Sequence, residues 1–506
     1  MASKLGNTLI LFLFIRIALM AMLPVLGDEA YYFYWGMHPA GGYYDLPPMI
    51  GWWLAPFVKT ALVPLWLRCP NLISWALISA SLYEWLHHFI EGRRAKWIAA
   101  SFALLPLPFS AVVMFPDIPL LFFSYFSAYL FFRAGTRRSE SAFSFLISGA
   151  LFGAAVLSKY FAVFLAPSFL IWFLIQPKEN RRFTGLVWFC LGAMPFALQH
   201  LIWNESHCAS NFVFNLVTRQ SVSDGPVFQI VGLFVLYLLI LSFPFLKAVF
   251  KRAPTPPGSL ESLSKFLGLL WASPTVIFGI TACLGRGQGF HWFLFTLPFF
   301  VMWAGLRLNE SELVRAFRAI VWVTGSISFL LLSASVFPVG TLKPLFEHRF
   351  QFEFAELTHR KELIESILPD VKRAGEVFTE GYTFSSILNF DLQQYARANQ
   401  IRLPEVSVWG SGSRFGRVFD WTSDFLSLDG KTLVIITPGP FPISFWSKFF
   451  NSLKTEARTF EGSTFYVSTG EGFKSALYLK DEFRKPIETY YRRWGARCSL
   501  WDLTHP

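Results

Sequence analysis

The stretch 27–48, GDEAYYFYWGMHPAGGYYDLPP, lies between long runs that are almost pure hydrocarbon, and its reading decides how the rest of the chain is understood. It holds three carboxylates, Asp28, Glu29 and Asp45. Directly after a first hydrophobic segment, Asp28 and Glu29 fall at its water-facing end, where a carboxylate costs little and can face a reactant. Deeper in the bilayer each costs roughly 3 kcal/mol. Around them stand Tyr31, Tyr32, Tyr34, Trp35, Tyr43 and Tyr44, rings that suit a membrane interface or the faces of a sugar. An aromatic belt on an outer loop accounts for the tyrosines alone. The paired acid, the third carboxylate and the rigid Pro47-Pro48 step point to a site.

A chain of 506 residues with 54% hydrophobic and only 15% charged residues lies outside the range of soluble domains and reads as a polytopic membrane protein. The net charge of +11 does not indicate a nucleic-acid partner: residues 1–340 carry a balance of +10 and residues 341–506 only +1, so the excess belongs to the membrane part. Five cysteines (Cys69, Cys190, Cys208, Cys283 and Cys498) are scattered without metal-ligand spacing, and neither a disulfide framework nor a Cys-based zinc site is expected.

At about 20 apolar residues per span, eleven spans are read near 8–26, 68–90, 97–114, 118–133, 141–157, 160–176, 183–203, 227–247, 267–284, 291–306 and 318–338. With the N-terminus inside, the inner side receives seventeen Lys and Arg and the outer side only Lys59, Arg68, Lys159, Arg219 and Arg286, with Arg16 inside the first span. The outer loops are then 27–67 and 203–226; within the first, residues 49–67 are broken by Pro56 and Pro64 and read as interfacial helices. Residues 1–26 carry features of a cleavable signal peptide, but the apolar run is long enough to span and is expected to be retained. Residues 1–340 form the transmembrane domain. From about residue 341 the apolar runs shorten, and residues 341–506 read as a soluble extracytoplasmic α/β domain: 377–381, 406–410 and 432–439 as strands, 383–397 as an amphipathic helix.

The outer face gathers a small polar set. Asp117 sits in FPDIP between two prolines, as a helix cap or a ligand. Lys159 stands in a tight turn, where the bland alternative is snorkelling. The loop 203–226 offers Asn204, Glu205, His207, Asn211, Asn215 and Arg219, and GRGQGFHW offers Arg286 and His291 beside a Gly-rich turn. Carboxylates plus isolated cations at the bilayer edge suit a membrane-bound phosphate ester as donor with an acid or base beside it. Asp28 and Asp117 are the catalytic candidates, Lys159, Arg219 and Arg286 the phosphate-binding ones, and Glu29, Tyr44, Asp45 and His291 the substrate-binding ones.

The blocks GDEAYYFYWGMHPAGGYYDLPPMIGWW, FPDIPLLFF, LSKYFAVFLAP, WNESHCASNFVFN and GQGFHWFLFTLP resemble, in the same order, those of the bacterial dolichyl-phosphate-mannose-protein mannosyltransferase-like glycosyltransferases, the lipid A aminoarabinosyltransferase-like family. EGYTFSSILNF, SRFGRVFDW and GKTLVIIT resemble the periplasmic domain of the same group. The resemblance implies a GT-C fold in the bacterial inner membrane, with the C-terminal domain periplasmic. It implies inverting transfer of a sugar from a polyprenyl (undecaprenyl) phosphate to an extracytoplasmic acceptor such as lipid A, and it sets Asp28 on the family's catalytic acidic position and Asp117 on its second. Leu46 stands where the aminoarabinose enzymes carry Lys, which leaves the sugar open. The residues fix no cofactor and leave a divalent metal open, held by Asp45 with His291 or His207. The competing readings are a protein O-mannosyltransferase-like enzyme and a transporter or flippase of a lipid-linked sugar, which calls for charges and broken helices at mid-membrane.

Overall fold

The computed structural model describes residues 2–106, 109, 112–136, 142–177, 183–218, 232, 245–251, 258–283, 290–336, 360–374, 376–409, 417–439, 442–460 and 463–484. Among these, five helices are long and apolar enough to cross a membrane: Lys4–Met22, Asp117–Thr136, Phe183–Ser206, Ser259–Thr281 and Glu310–Val336. The shorter apolar stretches Ala142–Ser158 and Tyr160–Ile175 stand beside them. Helices Pro64–His87, Gly92–Ala103 and Leu297–Arg307 fall on three more of the expected spans, while most of the expected span 227–247 lies outside the described residues. Phe14, Trp322 and Phe329 remain 66%, 78% and 70% exposed on their helices, a surface costing about 25 cal/mol per Å2 in water and nothing in hydrocarbon. The protein is a membrane protein.

Small residues set the closest helix crossing. A Cβ at Gly149 would lie 1.9 Å from the Phe189 carbonyl oxygen and one at Gly192 2.0 Å from that of Leu146, so helices Ala142–Ser158 and Phe183–Ser206 meet backbone to backbone. Arg16, buried in the first span, donates to Asn71 Oδ1 at 3.0 Å and lies over the Trp75 and Phe109 rings. At the opposite end of the bundle Asn309 and Glu312 exchange two hydrogen bonds of 2.9 Å and start helix Glu310–Val336 as a capping box.

The opening segment differs from the loop expected of it. After extended backbone at Leu26 the chain turns at once into helix Gly27–Met37, with Asp28 and Glu29 in its first turn, where carboxylates complement the helix dipole. Its residues from Glu29 to Gly36 are all buried, so the aromatics form a core and not a belt. Pro56 does not break the next segment; it lies inside helix Met49–Thr60, whose Met49, Ile50, Leu54 and Val58 are buried. Pro64 is instead the first residue of the long helix Pro64–His87, as suits a ring with no N–H to offer.

The C-terminal part carries a five-stranded mixed sheet in the order β2-β1-β3-β5-β4. Strands β1 (Glu376–Thr379), β2 (Val406–Val408) and β3 (Leu433–Thr437) are parallel and fall on the three expected strands; helix Tyr382–Ala398 falls on the expected helix and connects β1 to β2. The hairpin β4 (Ser452–Phe460) and β5 (Ser463–Glu471), antiparallel to β3 through β5, was not anticipated. One apolar cluster joins the opening helix to this part: Tyr31, Phe33 and Trp35 share a core with Ile387, Phe390, Val418 and Phe419. Contact there is close enough that a Cβ at Gly27 would lie 2.0 Å from Thr383 Cγ2.

Candidate active site

The two acids of the first turn part company. Asp28 is exposed, and its Oδ1 accepts a 2.8 Å hydrogen bond from the Tyr382 hydroxyl. Glu29 is buried and accepts from Arg68 Nε at 2.8 Å, Arg68 Nη2 at 2.5 Å and the Met114 amide at 2.8 Å. Arg68 also donates to the carbonyls of Met20, Leu23 and Pro24, tying off the end of the first apolar helix. Glu29 therefore faces inward as a strut, in place of the substrate-facing position expected, and Arg68 has a structural partner of its own.

Asp45 is brought over this helix by the turn 43–46. Trp35 and Tyr43 stack at 3.9 Å, and Asn215 Nδ2 holds the Asp45 carbonyl at 2.9 Å. The Asp45 carboxylate is buried, 2.6 Å from Arg417 Nη1 and 3.4 Å from the Tyr31 hydroxyl. Arg417 comes from the far end of the chain, and its guanidinium carbon lies 3.5 Å from the centre of the Tyr382 ring. Burial pulls this guanidinium down, but Asp45 and then Tyr382, Tyr31 and Asp28 more than compensate, so its proton is held more tightly than usual. Burial pushes the Tyr382 phenol up to about 12, against the pull of Arg417, so it stays protonated as the donor to Asp28. The run Asp28–Tyr382–Arg417–Asp45 is thus one connected polar group. Tyr44 is buried against Phe214 in a cluster with Cys208, Phe378 and Trp409.

Asp117 and Lys159 come together. Lys159 Nζ lies 3.1 and 2.9 Å from the two Asp117 oxygens, both side chains buried, with Phe161 and Trp292 beside the ammonium. His291 Nε2 is 3.9 Å from Asp117. Next in the chain, Tyr160 bonds to His200 at 2.5 Å and to Asn211 Oδ1, and Asn211 Nδ2 reaches the Tyr43 carbonyl at 2.7 Å. Through these bonds the turn that carries Lys159 is linked to the turn that carries Asp45. Arg219 and Arg286 lie outside the described residues.

No group of three metal-binding side chains occurs among the described residues. Asp45 is joined to Arg417, while His207 bonds to Ser206 and the Trp203 carbonyl, so a metal built on Asp45 and a histidine does not fit this arrangement. Cys208 is disulfide-bonded, contrary to the expectation of none, with Cys69 and Cys190 free. Sequence reasoning missed Arg417, Tyr382, Tyr160 and His200. Tyr382 and Arg417 lie in stretches that carried the resemblance, but no local spacing ties a residue near 400 to one near 30.

Comparison with known proteins bears on the family and the fold. Residues 45–203 match the family model described as dolichyl-phosphate-mannose-protein mannosyltransferase. Over 183 residues the chain is 28% identical to a lipid A galacturonosyltransferase, RgtD of Rhizobium johnstonii; the match covers 36% of this chain and 38% of that protein. Crystal structures of ArnT from Cupriavidus metallidurans, apo and bound to undecaprenyl phosphate, superpose with a TM-score of 0.62 over 92% of this chain and 98% of theirs. Identities there are 12% and 15%, so this likeness speaks for the fold. The chain is thus similar over residues 45–203 to the mannosyltransferase family model and over about a third of its length to a lipid A galacturonosyltransferase, and it shares the fold of ArnT.

Proposed function

We propose that the chain is a membrane glycosyltransferase that moves a sugar from polyprenyl (undecaprenyl) phosphate to an extracytoplasmic acceptor such as lipid A, with inversion at the anomeric carbon. The observation that carries this reading is the position of Asp28: exposed, in the first helical turn beyond the outer end of an apolar helix, with one oxygen oriented by Tyr382. An acceptor hydroxyl is a poor nucleophile, and Asp28 takes its proton as the new bond to the anomeric carbon forms. The bond from that carbon to the phosphate oxygen breaks, and the phosphate leaves with the electron pair, which demands positive charge nearby. Glu29 and Arg68 fix the turn that bears Asp28, and Asp45 is connected to it through Arg417 and Tyr382.

The Asp117–Lys159 pair serves as one unit, the carboxylate orienting the ammonium toward the donor phosphate, with His291 at its edge. Arg219 and Arg286 are further candidates for that phosphate on sequence grounds. Two similar proteins support the assignment of substrates: one is a lipid A galacturonosyltransferase, and one ArnT structure holds undecaprenyl phosphate. A disulfide at Cys208 supports an oxidising, extracytoplasmic side for this end of the molecule, and with it residence in the inner membrane with the C-terminal part in the periplasm. The family model's name favours a second reading in which the acceptor is a protein hydroxyl. Mass spectrometry of envelope lipids from a deletion strain separates the two: loss of one sugar-sized increment from a lipid supports the first, and intact lipids with loss of a glycoprotein supports the second.

A further inference from the structure

We propose that Arg417, paired here with Asp45, is a binding residue for the donor phosphate and is passed from the carboxylate to the phosphate when the lipid arrives. The inference rests on the lipid-linked phosphate donor of the proposed function and adds to it a residue from the C-terminal part. In the proposed function the Asp117–Lys159 pair already presents one cation to that phosphate. Near Asp28, Arg68 is bound to Glu29 and three carbonyls and Arg360 donates to the Val25 carbonyl, whereas Arg417 is reached through one tyrosine: Tyr382 bonds Asp28 with its hydroxyl and carries Arg417 on its ring face. That spacing suits an inverting displacement, in which the base and the departing phosphate lie on opposite sides of the sugar.

Two features distinguish Arg417 from a simple staple. A guanidinium carries five N–H donors in a planar fork suited to phosphate, yet its buried Nε has no hydrogen-bond partner while Nη1 serves Asp45. Its backbone also lies at φ 50, in the left-handed region that a non-glycine residue adopts at a cost of about 1 kcal/mol or more. An arginine held there, between the Tyr31, Tyr382 and Phe214 rings, is pre-oriented, with a donor still to be satisfied. Phosphate supplies the missing acceptor, and Asp45 is the ligand it displaces. The C-terminal part would then complete the donor site as well as cover it.

The test measures binding of labelled polyprenyl phosphate and of uncharged polyprenol to the purified full-length protein. Arg417→Gln should weaken polyprenyl phosphate binding about 10- to 100-fold, and Arg417→Lys should recover part of the loss. Polyprenol binding should not change. Asp45→Asn, which removes the competing carboxylate, should bind the phosphate at least as tightly as the wild type. A staple behaves differently: Arg417→Gln and Asp45→Asn would then weaken binding alike, and that result overturns the assignment. So does equal phosphate affinity in the wild type and Arg417→Gln, or a parallel loss of polyprenol binding. Wild-type protein with no preference for the phosphate over polyprenol overturns the proposed donor itself and this assignment with it.

Discussion

Replacement of Arg68 by Met tests whether the opening helix is set by a buried strut. Arg68 and Glu29 have side-chain exposures of 0% and 1%, so solvent screens neither charge. Removing one partner of such a pair typically costs about 3–5 kcal/mol, because the remaining charge is left buried without compensation. Here the upper part of that range is expected, since the carbonyls of Met20, Leu23 and Pro24 lose a donor in the same step. The double variant Glu29→Gln with Arg68→Met removes the orphaned charge and should be more stable than Arg68→Met alone, with a coupling of about 1–3 kcal/mol. Equilibrium unfolding in mixed micelles measures both. A loss below about 1 kcal/mol, the range of exposed pairs, with no gain in the double variant, would refute the strut.

Gly27→Ala should destabilise by about 1–3 kcal/mol by overpacking Thr383, and Thr383→Ala in the same chain should restore most of it; failure of that rescue in thermal unfolding removes the contact from the account. Asp391, whose carboxyl is pushed up to about 6 by burial against a partial offset from Arg360 at 3.7 Å, contributes stability present below its unfolded value near 4 and lost as pH rises through 6. Asp391→Asn should flatten the stability profile between pH 4 and 7, by at most about 3 kcal/mol; a profile unchanged by the substitution contradicts the buried carboxyl.

The membrane helices and the strands β1 to β3 were legible because each writes its own period: about 20 apolar residues for a span, short β-rich runs ending in Gly for the parallel strands. The β4–β5 hairpin was not, because Lys454, Glu456 and Arg458 on the edge strand leave no apolar alternation to find. Helix Gly27–Met37 was hidden for the opposite reason. Its aromatics are buried on every side by helix Met49–Thr60 and by a C-terminal helix some 350 residues away, which no local period reports. Pro56 misled as a helix breaker because burial of Met49, Ile50, Leu54 and Val58 outweighs its lost hydrogen bond. In the site, Asp28, Asp117 and Lys159 were legible as charges at the ends of apolar runs. Their partners were less accessible: Asp117 with Lys159 required only two neighbouring turns, whereas Tyr382 and Arg417 required the tertiary fold.

The central claim is that the Asp28 carboxylate is the base that activates the acceptor. It is tested most directly by assaying purified Asp28→Asn in proteoliposomes for transfer of sugar from a polyprenyl phosphate donor to lipid A. The substitution keeps the side chain's size and can still accept from Tyr382, so binding of the lipid phosphate should persist while turnover falls at least about 100-fold. Turnover equal to the wild type would contradict the account.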